Sequence, residues 1–173
     1  MNTPKFLIVH HEASPFALRD NVKRFDAVDD YHTSKGWGGI GYHYFIERDG
    51  EVKQGRQDNA EGAHTIGKNT ESLGICMAGN MDLQMPSSAQ VKSLKTLVQQ
   101  KMKEYLIFPS NVVGHRKYAN KSCPGKLLSD QWIADLIEAV AVSVEKPVES
   151  CATEKKTIKS LIDYIAKWIL GRK

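Results

Sequence analysis

The residue pattern predicts an α/β fold: a single layered domain with a central mixed β-sheet flanked by helices, followed by a C-terminal amphipathic helix. Three observations carry it. Short apolar runs of strand length alternate with longer segments of helical period. An Asp49-Gly50 turn signal joins two strand candidates antiparallel, so the sheet is mixed. Near Ser143 the chain turns into a linker with a proline and alternating charge, and a second helical stripe follows it.

Taken in order, Lys5–Val9 reads as a short buried strand closed by His10 and His11. A helix is expected over 18–34, where Val22, Phe25, Val28, Asp29 and His32 fall near helical spacing and Gly36 is the stop. Gly38-Gly-Ile-Gly41 leads into a strand over Tyr42–Glu47, and Glu51–Gln54 returns beside it. Leu73–Ala78 is a further strand. Ser87 or Ser88 can cap a helix to about Tyr105, with Val91, Leu94, Leu97, Val98 and Met102 on one face. Val112–Gly114 is a short strand ending at His115, a polar loop runs to Pro124, and a helix is expected over 126–141. The domains are then 1–142 for the core, 143–156 for the linker and 157–171 for a basic amphipathic helix.

Composition narrows the class. The 173 residues carry formal net charge +4, with 41% hydrophobic and 25% charged residues, which excludes a disordered chain. The 13 Gly and 6 Pro show no collagen-like period. No apolar run approaches the ~20 residues of a membrane span. Only Phe6–Val9 is apolar near the N-terminus, so no signal peptide is expected and synthesis in the cytoplasm is. The three cysteines are odd in number and widely spaced, which argues against a disulfide framework. The charge is mild and forms no clustered basic face in the core, so no specific nucleic-acid partner is expected.

The histidines carry the chemistry. His10 and His115 stand at the ends of strands, where the loops of an α/β sheet converge on a cleft, and Cys123 follows eight residues after His115. Two imidazoles and a thiolate make a three-ligand zinc set with a fourth position open for water. A buried cysteine and two ordinary histidines account for the same residues, because 105 positions separate His10 from His115 and no compact CxxC pattern exists. Spacing alone leaves both readings standing. His43 alternates with Tyr42 along its strand and is expected on the opposite face, in the core or behind the site. His11 faces away from His10, His32 lies on a helix surface, and Cys76 is a small core residue.

The segments Val9-His-His-Glu-Ala-Ser14, Ile40-Gly-Tyr-His-Tyr-Phe-Ile46 and Gly114-His-Arg-Lys-Tyr-Ala-Asn-Lys-Ser-Cys-Pro124 resemble the type 2 zinc N-acetylmuramoyl-L-alanine amidases. That family includes short phage endolysins and the peptidoglycan recognition proteins. Arg48-Asp-Gly50, Gly62-Ala-His64 and Ser72-Leu-Gly-Ile-Cys76 fit in the same order, so the likeness covers about residues 5–140. It implies a Zn2+ ion held by His10, His115 and Cys123, with Tyr42 and Lys121 as catalytic residues and His64 as a substrate-binding residue of the cleft. The implied reaction is zinc-assisted hydrolysis of the amide between muramic acid and L-alanine in bacterial peptidoglycan, with Lys121 facing the developing oxyanion. Tyr42 without the resemblance reads as a strand aromatic, and Lys121 as a solvated loop lysine.

An endolysin made in the cytoplasm and acting on the wall after release fits the missing signal peptide. A cytoplasmic wall-recycling amidase fits it too, but such enzymes carry Asp where this sequence has Cys123. A non-catalytic recognition module is the alternative of a different class; in that branch the cysteine ligand is typically lost. In the tail, Ile158, Leu161, Ile162, Ile165, Trp168 and Ile169 form an apolar stripe ringed by Lys155, Lys156, Lys159, Lys167, Arg172 and Lys173. Such a helix can lie on an anionic membrane, dock on the core or pair with another copy.

Overall fold

The structure, a computed structural model, describes residues 1–14 and 23–144. Five strands, β1 (Phe6–His11), β2 (Tyr44–Ile46), β3 (Val52–Gln54), β4 (Ser72–Met77) and β5 (Val112–Gly114), form one sheet in the order β3-β2-β4-β1-β5. The β2–β3 pair is antiparallel and every other pair is parallel, so the sheet is mixed as expected. Among the described residues three α-helices accompany it: α1 (Phe25–Ser34), α2 (Ser88–Tyr105) and α3 (Asp130–Val144).

Alternation along the strands sorts the core into two layers. Leu7 and Val9 of β1, Leu73, Ile75 and Met77 of β4, and Tyr44 and Ile46 of β2 pack with Leu94, Leu97 and Val98 of α2 and Ile133, Leu136 and Ile137 of α3. On the other face, Phe45 and Cys76 pack with Val28 of α1, Ile40 and Ala78. β1 and β4 are buried along nearly their whole length, as central parallel strands must be when both faces are covered.

Helix boundaries follow from their caps. Ser87 accepts from the Gln90 backbone N–H while Gln90 Oε1 accepts from the Ser87 N–H, a reciprocal capping box that opens α2. α2 closes on Leu106, which sits in the left-handed region at φ 53 and is exposed. Because a β-carbon costs about 1–2 kcal/mol there, Leu106→Gly is expected to raise stability by about 0.5–1 kcal/mol in denaturant unfolding. α3 starts at Asp130, four residues later than the sequence pattern suggests, because the Ser129 hydroxyl accepts from the Trp132 N–H and fixes the N-terminus there. α1 is described from Phe25. Its N-terminus is capped from another element: the buried Glu47 carboxylate, one residue past β2, accepts from the N–H groups of Arg24 and Phe25. Residues 18–22 of the expected first helix lie outside the described residues, as do residues 145–156 of the expected linker and the whole 157–171 helix; Ser143 and Val144 continue α3.

Candidate metal centre

The site is built at the C-terminal ends of β1 and β5. In the parallel registers His10 lies beside Cys76 of β4, and Val9 beside Gly114 of β5, so His115 enters next to His10 as β5 ends. A 3-10 turn over His115–Lys117 then throws the chain into a loop that returns at Cys123. That loop is held at several points. Cys123 O accepts from the Arg116 N–H at 2.8 Å, and the Arg116 guanidinium donates to the carbonyls of Gly125 and Leu128. Asp82 accepts from the Ser122 hydroxyl at 2.8 Å and from the Lys126 N–H at 2.7 Å.

The structure brings His10, His115 and Cys123 together: their ligand atoms all lie within 4.8 Å of one another. His10 Nδ1 is 3.7 Å from Cys123 Sγ, and the rings of His10 and His115 have centroids 4.5 Å apart. Zn–N and Zn–S bonds at a tetrahedral angle set nitrogen and sulfur about 3.6 Å apart, so the donor set fits zinc in chemistry and spacing. Burial pulls the pKa of His10 well down, helped by His64 and His115, and pulls down that of His115, which favours the neutral form that ligates. Burial pushes the Cys123 thiol up to about 11.

Tyr42 precedes β2 and its ring lies 5.1 Å from that of His10 and 6.3 Å from that of His64. Burial, then Cys76 and Cys123, hold its hydroxyl well above the usual tyrosine range. Lys121 is exposed on the loop, and its charge contributes to depressing both His10 and His115. His64 presents Nδ1 to His10 Nε2 at 3.1 Å, and burial draws its pKa down to about 3.

Two placements differ from the sequence expectation. His32 is buried rather than on the helix surface: its ring lies between Trp37 and Tyr42, and its Nδ1 accepts from the Gly41 N–H at 3.0 Å. The loop after α1 folds back over that helix face, which periodicity within the helix cannot register. His43 stands on the site's side of the sheet, its ring edge-on to His64 at 5.5 Å, because β2 begins at Tyr44 and strand alternation does not reach back to Tyr42. It is fully buried, with Nδ1 accepting from the Gly74 N–H and Nε2 against the Ala60 carbonyl. His11 faces the other layer, where Nδ1 accepts from the Met81 N–H, and Cys76 is fully buried. Sequence reasoning also passed over Arg56, which donates to the carbonyls of Trp37, Ile40 and Glu61 and so pins the loop that delivers Tyr42. No residue spacing announces it, since all three partners are backbone atoms.

The family model for N-acetylmuramoyl-L-alanine amidase matches residues 1–126. The chain is 30% identical over 131 residues to an endolysin of Klebsiella phage KP32, covering 73% of this chain and 83% of that one. It is 31% identical over 128 residues to peptidoglycan-recognition protein SC2 of Drosophila melanogaster, covering 72% and 70%. A human N-acetylmuramoyl-L-alanine amidase is 33% identical over 132 residues, but this chain spans only 23% of its length. Among solved structures, the N-acetylmuramoyl-L-alanine amidase LysC from Clostridium intestinale superposes with TM-score 0.70 at 29% identity, covering 79% of this chain and 87% of that one. With more than half its length matched by the family model and its fold shared with such an amidase, the chain belongs to the N-acetylmuramoyl-L-alanine amidase family.

Proposed function

We propose that this chain is a zinc-dependent hydrolase that cuts the amide between N-acetylmuramic acid and L-alanine in bacterial peptidoglycan, and that it serves as a phage or prophage endolysin. The observation that carries the reading is the three-ligand set: His10 Nδ1 and Cys123 Sγ stand at tetrahedral zinc spacing with His115 beside them. The endolysin relatives support the lytic role, with synthesis in the host cytoplasm and action on the wall after release.

His10, His115 and Cys123 would hold the ion, which when bound supplies Lewis acidity toward the scissile carbonyl and lowers the pKa of water toward ~7. The chain's own groups do the rest. Lys121, on the loop beside the ligands, places a positive charge where negative charge grows on the carbonyl oxygen. Tyr42, whose ring stands 5.1 Å from that of His10, donates a hydrogen bond to the reacting oxygens in this reading. Residues 1–142 form the catalytic domain in this reading. Contact of 157–171 with anionic membranes rests on its sequence pattern alone, and co-sedimentation of that peptide with anionic liposomes tests it.

The test is mass spectrometry of soluble fragments after incubating the protein with bacterial peptidoglycan, with zinc or with a chelator. Stem peptides with a new L-alanine amino terminus are expected with zinc and absent with chelator. A second reading, recognition without cleavage, draws on the likeness to peptidoglycan-recognition protein SC2 and predicts wall binding with no fragments. Glycan fragments with intact lactyl–alanine bonds would overturn both.

A further inference from the structure

We infer that His64 is a positioning residue for the metal centre: its Nδ1 is the acceptor that fixes the rotation and tautomer of His10, so that His10 Nδ1 points at the ion. The inference rests on the zinc reading above. The two nitrogens of His10 face different partners. Nδ1 lies 3.7 Å from Cys123 Sγ, whereas Nε2 lies 3.1 Å from His64 Nδ1 and 3.4 Å from the Thr65 hydroxyl. A neutral imidazole that ligates through one nitrogen carries its proton on the other and needs an acceptor for it. The Thr65 hydroxyl is 3.0 Å from His64 Nδ1, so whether the Nε2–H of His10 donates directly or through Thr65, the lone pair on His64 Nδ1 closes the chain.

The seat of that ring is built. A β-carbon on Gly62 or on Gly74 would stand 2.5 Å from ring atoms of His64, so both positions must be bare for the imidazole to fit. Asn69 Oδ1 accepts from the backbone N–H groups of His64 and Thr65, at 3.0 and 2.8 Å, which sets the direction of both side chains. His64 Nε2 is buried with no hydrogen-bond partner among the described residues. An apolar side chain would fill this slot without stranding a polar atom, which costs about 1–3 kcal/mol. What histidine adds over such a side chain is the acceptor at Nδ1. This inward role differs from the substrate contact that the family resemblance implies for His64.

The test is the zinc affinity of the full chain, measured by competition with a chromophoric chelator, with the visible spectrum of the cobalt-loaded protein as a second readout. Three variants separate the acceptor from the packing. His64→Asn keeps an acceptor near the place of Nδ1, His64→Gln moves it toward the place of Nε2, and His64→Ala removes it. Zinc binding is expected to weaken about 10–100-fold in the Gln and Ala variants and to stay within about threefold of the parent in the Asn variant. The cobalt spectrum is expected to shift in the Gln and Ala variants only. If the alanine variant fails to fold, the Asn and Gln pair decides. Equal affinities for Asn and Gln, whether both tight or both weak, would overturn the inference while leaving the metal centre intact. Parent protein that binds no zinc, or binds it equally well as Cys123→Ser, would overturn the zinc reading and this inference with it.

Discussion

Cys123→Ser is expected to lose at least about a thousandfold in hydrolysis of peptidoglycan, equivalent to about 4 kcal/mol of transition-state stabilisation, and to purify without bound zinc. The serine oxygen is a harder donor on a shorter bond and does not ionise near neutral pH, so the site is left with two imidazoles. The fold is expected to survive. Cys123 is small, and its loop is held by Arg116 and Asp82 through atoms that the substitution does not touch. Fragment release, metal content by mass spectrometry and a circular dichroism melt check the three statements together. Cys76→Ala is the control: it removes a fully buried thiol that the three-ligand set does not use, and zinc binding should be unchanged.

Asp58→Ala is expected to cost about 3–5 kcal/mol of folding stability, the largest effect away from the metal ligands. Asp58 accepts from the Lys101 ammonium at 2.7 Å, from the Tyr44 hydroxyl at 2.6 Å and from the Tyr105 hydroxyl at 2.9 Å. The Lys101 side chain is only 8% exposed, so removing the carboxylate leaves a cation in a dry place with Glu104 as its remaining acid partner. Burial pushes the Asp58 carboxyl up, but the hydrogen bonds from Lys101, Tyr44 and Tyr105 outweigh it and leave its pKa lowered. The folded protein therefore takes up this proton less readily than the unfolded chain does. The contribution is complete above about pH 4, the unfolded value, and is lost as pH falls through the lower folded value. Denaturant unfolding of the parent and of Asp58→Asn between pH 2.5 and 6 should show the acid-dependent slope of the parent reduced in the variant.

The parts of this protein that were legible in sequence are those whose signal is local. β1, β2, β4 and β5 show as apolar runs, β3 (Val-Lys-Gln) is announced by the Asp49-Gly50 turn instead, and Ser87 lies beside the helix that it caps. The proposed ligands stand out in sequence only as residue types at strand ends, and it is the sheet register that puts His10 and His115 side by side. What escaped depends on partners distant in the chain. Glu47 caps a helix that begins 22 residues before it, and His32 is buried by a loop and by Tyr42. Asp58 draws its partners from β2 and α2, on either side of it in sequence. His43 shows the limit of period-two reasoning where a strand begins later than its apolar run.

The strand order has a consequence for how the molecule comes into being. β1 is the first strand to be synthesised, yet both of its neighbours, β4 and β5, arrive long after it, from residues 72 and 112 onward. A chain still being made thus holds β1 without a partner on either edge until β4 follows, and pairing it means closing long loops, which is slow. His10 waits with it until Cys123 has emerged. On the zinc reading, a chain cut short of Cys123 lacks one of the three proposed ligands, and that residue follows the last strand of the sheet.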